Sequence, residues 1–214
     1  MPITRRRRGW TLALIVVAFA AGLWAAYRWY LSPDHGDALE FQLASLPPST
    51  AARDFTLYDG QGRPRSLRDF RGQVVVIFFG FTRCPDVCPT ELFKLAQVKK
   101  SLLDDAAHVQ VLFVTLDPER DSPALMQTYT AAFDTSFIGL TGSRQQVDKV
   151  AADFYVVHAK AGPPDNYVID HSTSTYVIDP AGRLRLLGKM DSPVDAVTHD
   201  IRLLLQEAGT GRPS

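Results

Sequence analysis

Between Val74 and Phe79 the chain runs VVVIFF, six apolar residues without a break, and Val109–Leu116 follows the same pattern as VQVLFVTL. Runs of this kind, β-branched and aromatic, predict strands buried on both faces of a helix-covered sheet. From Pro89 the period lengthens to 3.6. Leu92, Leu95, Ala96, Leu102 and Leu103 then share one face, interrupted only by Lys99, which predicts a helix. Upstream, DFTLYD leads into Asp59-Gly60-Gln61-Gly62, the signal of a hairpin turn. Downstream, Ser122-Pro123 opens a helix to about Phe133, with proline in the first turn, where its missing N–H leaves no bond unmade. A further helix over about Ser143–Ala152 leads to FYVVHA, a loop at Ala161–Asp170 and a strand, STYVID (Ser174–Asp179). Pro180-Ala181-Gly182 turns the chain into RLRLLG, and Val194–Ala208 closes it as an amphipathic helix.

This succession of strand, helix, strand, helix, β-hairpin and final helix resembles the thioredoxin-like order. The expected fold class is therefore α/β, with a central mixed sheet flanked by helices. The two early strands should be parallel and joined by a right-handed crossover. Ligands of such sheets collect in the crevice beyond the carboxyl ends of the parallel strands. Cys84 and Cys88 follow the first of these strands and Asp117 ends the second, so the site is expected there.

The N-terminus carries a different pattern. RRRR at 5–8 precedes a stretch in which Thr11–Tyr27 has no charge, flanked by Trp10, Trp24, Tyr27, Trp29 and Tyr30. Roughly 20 apolar residues at 1.5 Å rise span a bilayer core. The aromatics match the interfacial belts, and the basic run fixes its end in the cytoplasm. The expected organisation is a cytoplasmic basic N-terminus (1–9), a transmembrane anchor (10–30), a linker (31–52), a thioredoxin-like domain (53–208) and a polar tail (209–214). A cleaved signal peptide is the alternative, since Ala18-Phe19-Ala20 offers a small-residue cleavage site. Either way the domain is expected outside the cytoplasm, and with the anchor retained it stands on a bacterial inner membrane, facing the periplasm.

Charge supports this division. The formal net charge is zero, but residues 1–30 hold five arginines and no acid, leaving 18 basic against 23 acidic residues beyond, a net of −5. A mildly acidic domain without a basic face argues against a nucleic-acid partner.

The only two cysteines, Cys84 and Cys88, lie four positions apart, each followed by proline. In an oxidising compartment such a pair is driven towards disulfide unless something reduces it. With Pro89 opening a helix, Cys88 is expected at a helix N-terminus, which favours a thiolate. A structural disulfide, a redox couple, a peroxide-reacting thiol and half of a metal site all remain open on these residues. A third ligand would decide. Of five histidines, His35 falls in the linker, His108 in a turn, His158 in or at the end of a strand and His199 on the last helix. His171, in Asp170-His171-Ser172, sits at the expected tip of a loop that faces the cysteines across the crevice.

CPDVCPTEL at 84–92, TLDPERDSP at 115–123 and DHSTSTYVIDPAG at 170–182 together resemble the Sco/SenC family of copper chaperones. The DFTLYDGQG…GQVVVIFFGFT lead-in fits as well, so the resemblance covers about 53–208, and the family's membrane anchor matches the N-terminus. The resemblance implies a copper site made of Cys84, Cys88 and His171. It also implies a redox disulfide between Cys84 and Cys88, and a role in assembling the CuA site of cytochrome c oxidase. The cargo would be Cu(I), Cu(II) or both, since two thiolates and an imidazole match copper by softness. Partners would be the copper-site subunit of the oxidase, a copper donor and a thioredoxin-like reductant. The protein would be a chaperone and not an enzyme.

Asp117, Asp170 and Asp86 are candidates for supporting the site or docking a partner, with Asp170 placed to orient His171 through a hydrogen bond. Met126 and Met190 are isolated and read as packing residues. Glu91 departs from the threonine that many members carry. Two rivals stand beside the chaperone. A thiol–disulfide reductase would use the same cysteines without metal. A peroxiredoxin is suggested by VCPTEL, but those enzymes place Thr or Ser where this chain has Pro85.

Overall fold

The computed structural model describes residues 15–25, 27, 40–47 and 49–209. The chain divides into two units, Met1–Glu40 and Phe41–Ser214. In the first, residues 15–25 are helical and Ile15, Val17, Phe19 and Trp24 are exposed. Among the described residues no helix is long and apolar enough to cross a membrane. The rest of the expected anchor, the arginine run, His35 and the end of the polar tail lie outside the described residues.

The second unit is built on a six-stranded sheet. Its central strand is β4 (Val74–Gly80), with all seven residues buried. β4 pairs in parallel with β5 (Val109–Thr115), from Val74↔Val109 to Gly80↔Thr115. The crossover between them carries α1 (Val87–Leu102), which buries Leu92, Leu95, Val98 and Leu102. α2 (Pro123–Ala131) then leads to β6 (Ile138–Leu140), which joins β5 in parallel. On the other side β4 meets β9 (Thr175–Ile178) antiparallel, and β9 meets β10 (Leu184–Gly188). α3 (Arg144–Asp153) and α4 (Val194–Glu207) complete the helical cover. A separate hairpin, β2 (Leu57–Tyr58) with β3 (Pro64–Arg65), stands where the Asp59–Gly62 turn predicted one. This mixed sheet with flanking helices is the expected architecture, and the continuous apolar runs are its doubly covered centre.

Four details differ from the sequence reading. The segment expected to be linker as far as residue 52 contributes β1 (Ala44–Ser45), which pairs with β10 at the sheet edge. Asp200 holds it there, accepting the N–H groups of Gln42 and Leu43 at 2.7–3.0 Å. Two residues are too few to show a strand period. β6 is likewise three residues long and left no pattern. α1 begins at Val87, so Cys88 lies inside its first turn.

The largest difference concerns the expected loop at Ala161–Asp170. Its first residue ends β7 (His158–Ala161) and its last three open β8 (Val168–His171), the two paired antiparallel from His158↔His171 to Ala161↔Val168. His171 therefore ends a strand and does not sit on a loop tip.

Candidate metal centre

The centre lies where β4 and β5 end. After Gly80 the chain turns through Phe81-Thr82-Arg83 before Cys84, and this turn hangs on one carboxylate. Asp121, 1% exposed, accepts the Thr82 amide at 3.1 Å, the Thr82 hydroxyl at 2.6 Å and the Thr115 hydroxyl at 2.6 Å. The cysteine turn is thereby tied to the end of β5.

Both cysteines are free thiols. Cys84 is half-buried, and its Sγ accepts the Cys88 N–H at 3.3 Å. Cys88 is fully buried against the β4 backbone. A Cβ at Gly80 would lie 2.6 Å from Cys88 Sγ and 2.8 Å from the Phe113 ring. Glycine is therefore required for close approach of the thiol. Gly80→Ala should overpack this floor at about 1–3 kcal/mol of stability and displace Cys88. Chemical denaturation together with metal titration of the same variant checks both effects.

His171 comes from the opposite side. Its Nε2 stands 3.8 Å from Cys88 Sγ. Its Nδ1 lies 2.9 Å from the Ser172 carbonyl. A carbonyl only accepts, so Nδ1 carries the proton and the Nε2 lone pair faces the thiol. The Phe78 and Phe81 rings meet the imidazole edge-on at 6.3 and 6.2 Å and cover part of it, leaving His171 half-buried.

Burial sets the protonation of the pair. It lowers the His171 pKa, opposed by the Ser172 hydrogen bond, which keeps the ring neutral and able to bind metal at neutral pH. It also pushes the Cys88 thiol well up, only partly offset by a hydrogen bond from the Phe81 backbone. Burial thus works against the thiolate expected at the helix N-terminus.

Among the described residues no three His, Cys, Asp or Glu side chains converge closely enough to enclose a metal ion. Cys88 and His171 meet, while the Cys84 sulfur is turned onto a backbone amide.

The three candidate aspartates fall in different places. Asp117 is wholly buried, accepts the Tyr167 hydroxyl at 2.8 Å and pairs with Arg120, so no partner can reach it directly. Asp170 is exposed and does not orient His171. Neighbouring residues of a strand face opposite sides, and the Ser172 carbonyl takes Nδ1 instead. Asp86 is exposed at the N-cap of α1, where it accepts the Thr90 hydroxyl at 3.4 Å. Met126 is fully buried in the core.

Sequence reasoning passed over Asp121, although it lies in the TLDPERDSP segment. It also set Glu91 aside. Glu91 is 1% exposed one turn after Cys88, and it accepts the Thr175 hydroxyl of β9 at 2.7 Å. Lys94 Nζ lies 2.7 Å from its other oxygen. An acid on the inner face of a helix beside a cysteine was the available signal.

The sequence model of the SCO1/SenC family matches residues 44–206, and the match takes in both cysteines and His171. The chain belongs to the SCO1/SenC family. Among its SCO relatives, the mouse mitochondrial SCO2 homolog is 41% identical over 178 residues, covering 80% of this chain and 69% of that protein. The human SCO2 homolog is 42% identical over 180 residues, covering 80% of this chain and 66% of its own length. The chain thus spans about two-thirds of these mitochondrial proteins. Among solved Sco structures, apo Sco1 of Thermus thermophilus superposes with a TM-score of 0.72 at 40% identity, covering 79% of this chain and all of that one. ScoI of Bradyrhizobium japonicum, solved with copper bound, gives 0.68 at 33% identity, covering 73% of this chain and 100% of that one.

Proposed function

We propose that this SCO1/SenC protein is a membrane-anchored copper chaperone that holds the ion between Cys84, Cys88 and His171. It would pass that ion to the CuA site of cytochrome c oxidase. The observation that carries this reading is the 3.8 Å approach of His171 Nε2 to Cys88 Sγ, with Nδ1 already occupied. The copper found in ScoI of Bradyrhizobium japonicum supports copper as the cargo.

Two thiolates and one imidazole suit trigonal Cu(I), and a further ligand would extend the site to Cu(II). Zinc also accepts two cysteines and a histidine with water. The affinity order for divalent metals favours copper over it. Loading displaces the thiol protons, so the positive ion supplies the compensation that buried Cys88 lacks when metal-free. Cys84 must swing off the Cys88 amide to complete the trio.

Exposure orders the transfer. Half-buried Cys84 and His171 exchange ligands first with an incoming partner, and Cys88 at the floor releases last. Phe78 and Phe81 keep water from the ion meanwhile. The segment at 10–30 would hold the domain at the outer face of a bacterial inner membrane, within reach of a membrane-bound oxidase. There a copper donor and a thioredoxin-like reductant would keep the pair loaded and reduced.

The test is transfer itself. Copper-loaded full-length protein in detergent, mixed with the reduced, copper-free CuA domain of the oxidase, should lose copper to it, read as the copper content of each protein after separation. Metal retention by the chain in the presence of that acceptor would contradict delivery.

A second reading, thiol–disulfide reductase, is favoured by the half-exposed Cys84 sulfur poised beside Cys88. The same mixing experiment separates the two when the CuA domain is supplied oxidised. Reduction of its disulfide without copper would support the reductase.

A further inference from the structure

β8 presents more than His171 to the interior. Tyr167, the residue just before β8, shares a face with Ile169 and His171 within it. Tyr167 is 8% and Ile169 5% exposed, whereas Val168 and Asp170 face solvent. Tyr167 is gripped at every polar side-chain and carbonyl atom. Its hydroxyl donates to Asp117 Oδ1 at 2.8 Å, and its carbonyl accepts Arg120 Nη1 at 3.0 Å. The Arg120 guanidinium carbon lies 3.6 Å from the ring centroid, and Lys160 Nζ lies 4.4 Å from it.

These cations are themselves tied down. Arg120 pairs with Asp117, and Lys160 reaches Glu119 Oε2 at 2.5 Å. Arg144 of α3 donates to the Leu116 carbonyl at 3.0 Å and approaches Glu119 at 3.3 Å. Asp117, Glu119 and Arg120 all belong to the segment that follows β5. The end of the central sheet thus grips the β7–β8 hairpin at the point where β8 begins. From Tyr167 to His171 is four residues, about 13 Å of extended strand.

Cys84 and Cys88 are held by α1 and by Asp121. Asp121 shares the segment of Asp117 and Arg120 and donates its N–H to the Asp117 carbonyl at 2.9 Å, so the test changes Tyr167 and leaves that segment intact. The imidazole reaches Cys88 from the end of this docked hairpin, where the Ser172 N–H also donates to the Val157 carbonyl at 3.0 Å. We propose that Tyr167, clamped by Arg120, is a positioning residue for His171: it fixes the strand that presents Nε2 to Cys88 and so sets how fast copper leaves. This rests on His171 being a copper ligand.

The experiment uses the full chain in detergent, loaded with Cu(I) and challenged with an excess of a Cu(I) chelator. Loss of an outer partner of a metal ligand typically weakens a site by 10–100-fold. Tyr167→Leu acts on the strand and not on the ring itself, so copper release should accelerate by about 10-fold, the low end of that range. Tyr167→Phe, which keeps the ring between its cations, should do less. In the metal-free chain, hydrogen exchange of residues 158–171 should quicken in Tyr167→Leu. The midpoint potential of the Cys84–Cys88 pair should stay at the wild-type value.

A release rate within twofold of wild type in Tyr167→Leu overturns the clamp. A matching change in the cysteine potential also overturns it, because the variant would then have loosened the whole domain. His171→Ala in the same assay separates the two ideas. If it releases copper at the wild-type rate, the ligand reading fails and the clamp falls with it. If it releases copper fast while Tyr167→Leu does not, only the clamp fails.

Discussion

His171→Ala is expected to lower the Cu(I) affinity of the reduced full-length protein by more than 100-fold. Loss of an outer partner typically costs 10–100-fold, and His171 is read here as a ligand itself. The ring lies in position, with Nε2 directed at Cys88 and Nδ1 held by Ser172. Its removal leaves two sulfurs, one of them deeply buried, and opens the space between Phe78 and Phe81 to water. The fold should survive. The side chain is half-buried, and each edge-on ring packing it makes with Phe78 and Phe81 is worth only about 1 kcal/mol. Competition with a Cu(I) chelator measures the affinity, and the rate of disulfide exchange with a small dithiol measures the cysteine pair. The first should collapse and the second should persist. Retained copper affinity would remove His171 from the site.

Asp121→Ala should produce the largest loss of stability among single changes near the centre. Its carboxylate receives three hydrogen bonds, two from Thr82 and one from Thr115, whose hydroxyl is wholly buried. A buried polar group left without a partner costs about 1–3 kcal/mol. Water can reach Thr82 in part, so a total near 3 kcal/mol is expected. For a domain of this size that lowers the melting temperature by about 6–12 °C. Copper binding should weaken as well, because the turn that delivers Cys84 loses its tether. Thermal unfolding of the metal-free protein isolates the first effect. A melting temperature unchanged within about 2 °C, less than 1 kcal/mol, would show that water replaces the carboxylate.

The parts legible in the sequence were those with a long period or a specific chemistry. VVVIFF and VQVLFVTL declare two doubly covered strands, and their order with α1 places Cys84 and Cys88 beyond the sheet. The short elements left no trace. β1 and β6 hold two and three residues and are stabilised by hydrogen bonds to neighbours distant in sequence, so no local pattern can reveal them.

The hairpin of β7 and β8 was hidden for another reason. Ala161–Asp170 reads as a polar loop because Gly162, Pro163 and Pro164 break it, yet the residues that fix it in place, Tyr167 and Arg120, lie 47 positions apart. The same holds for Asp170 and Ser172. Chemistry pointed to the carboxylate as the partner of His171, whereas strand alternation turned it outward and left the backbone carbonyl to serve. Cys88 shows the converse. Its place at a helix start is legible in the sequence, but the burial that raises its thiol pKa involves Gly80, eight residues away and on another element.

The central claim is that Cys84, Cys88 and His171 are the copper ligands, and X-ray absorption of the copper-loaded full-length protein tests it most directly. Two sulfur scatterers and one imidazole nitrogen around copper, falling to one sulfur in Cys84→Ala and to no imidazole in His171→Ala, is the result expected. A copper shell of oxygen and nitrogen alone, or one that both variants leave unchanged, would contradict it.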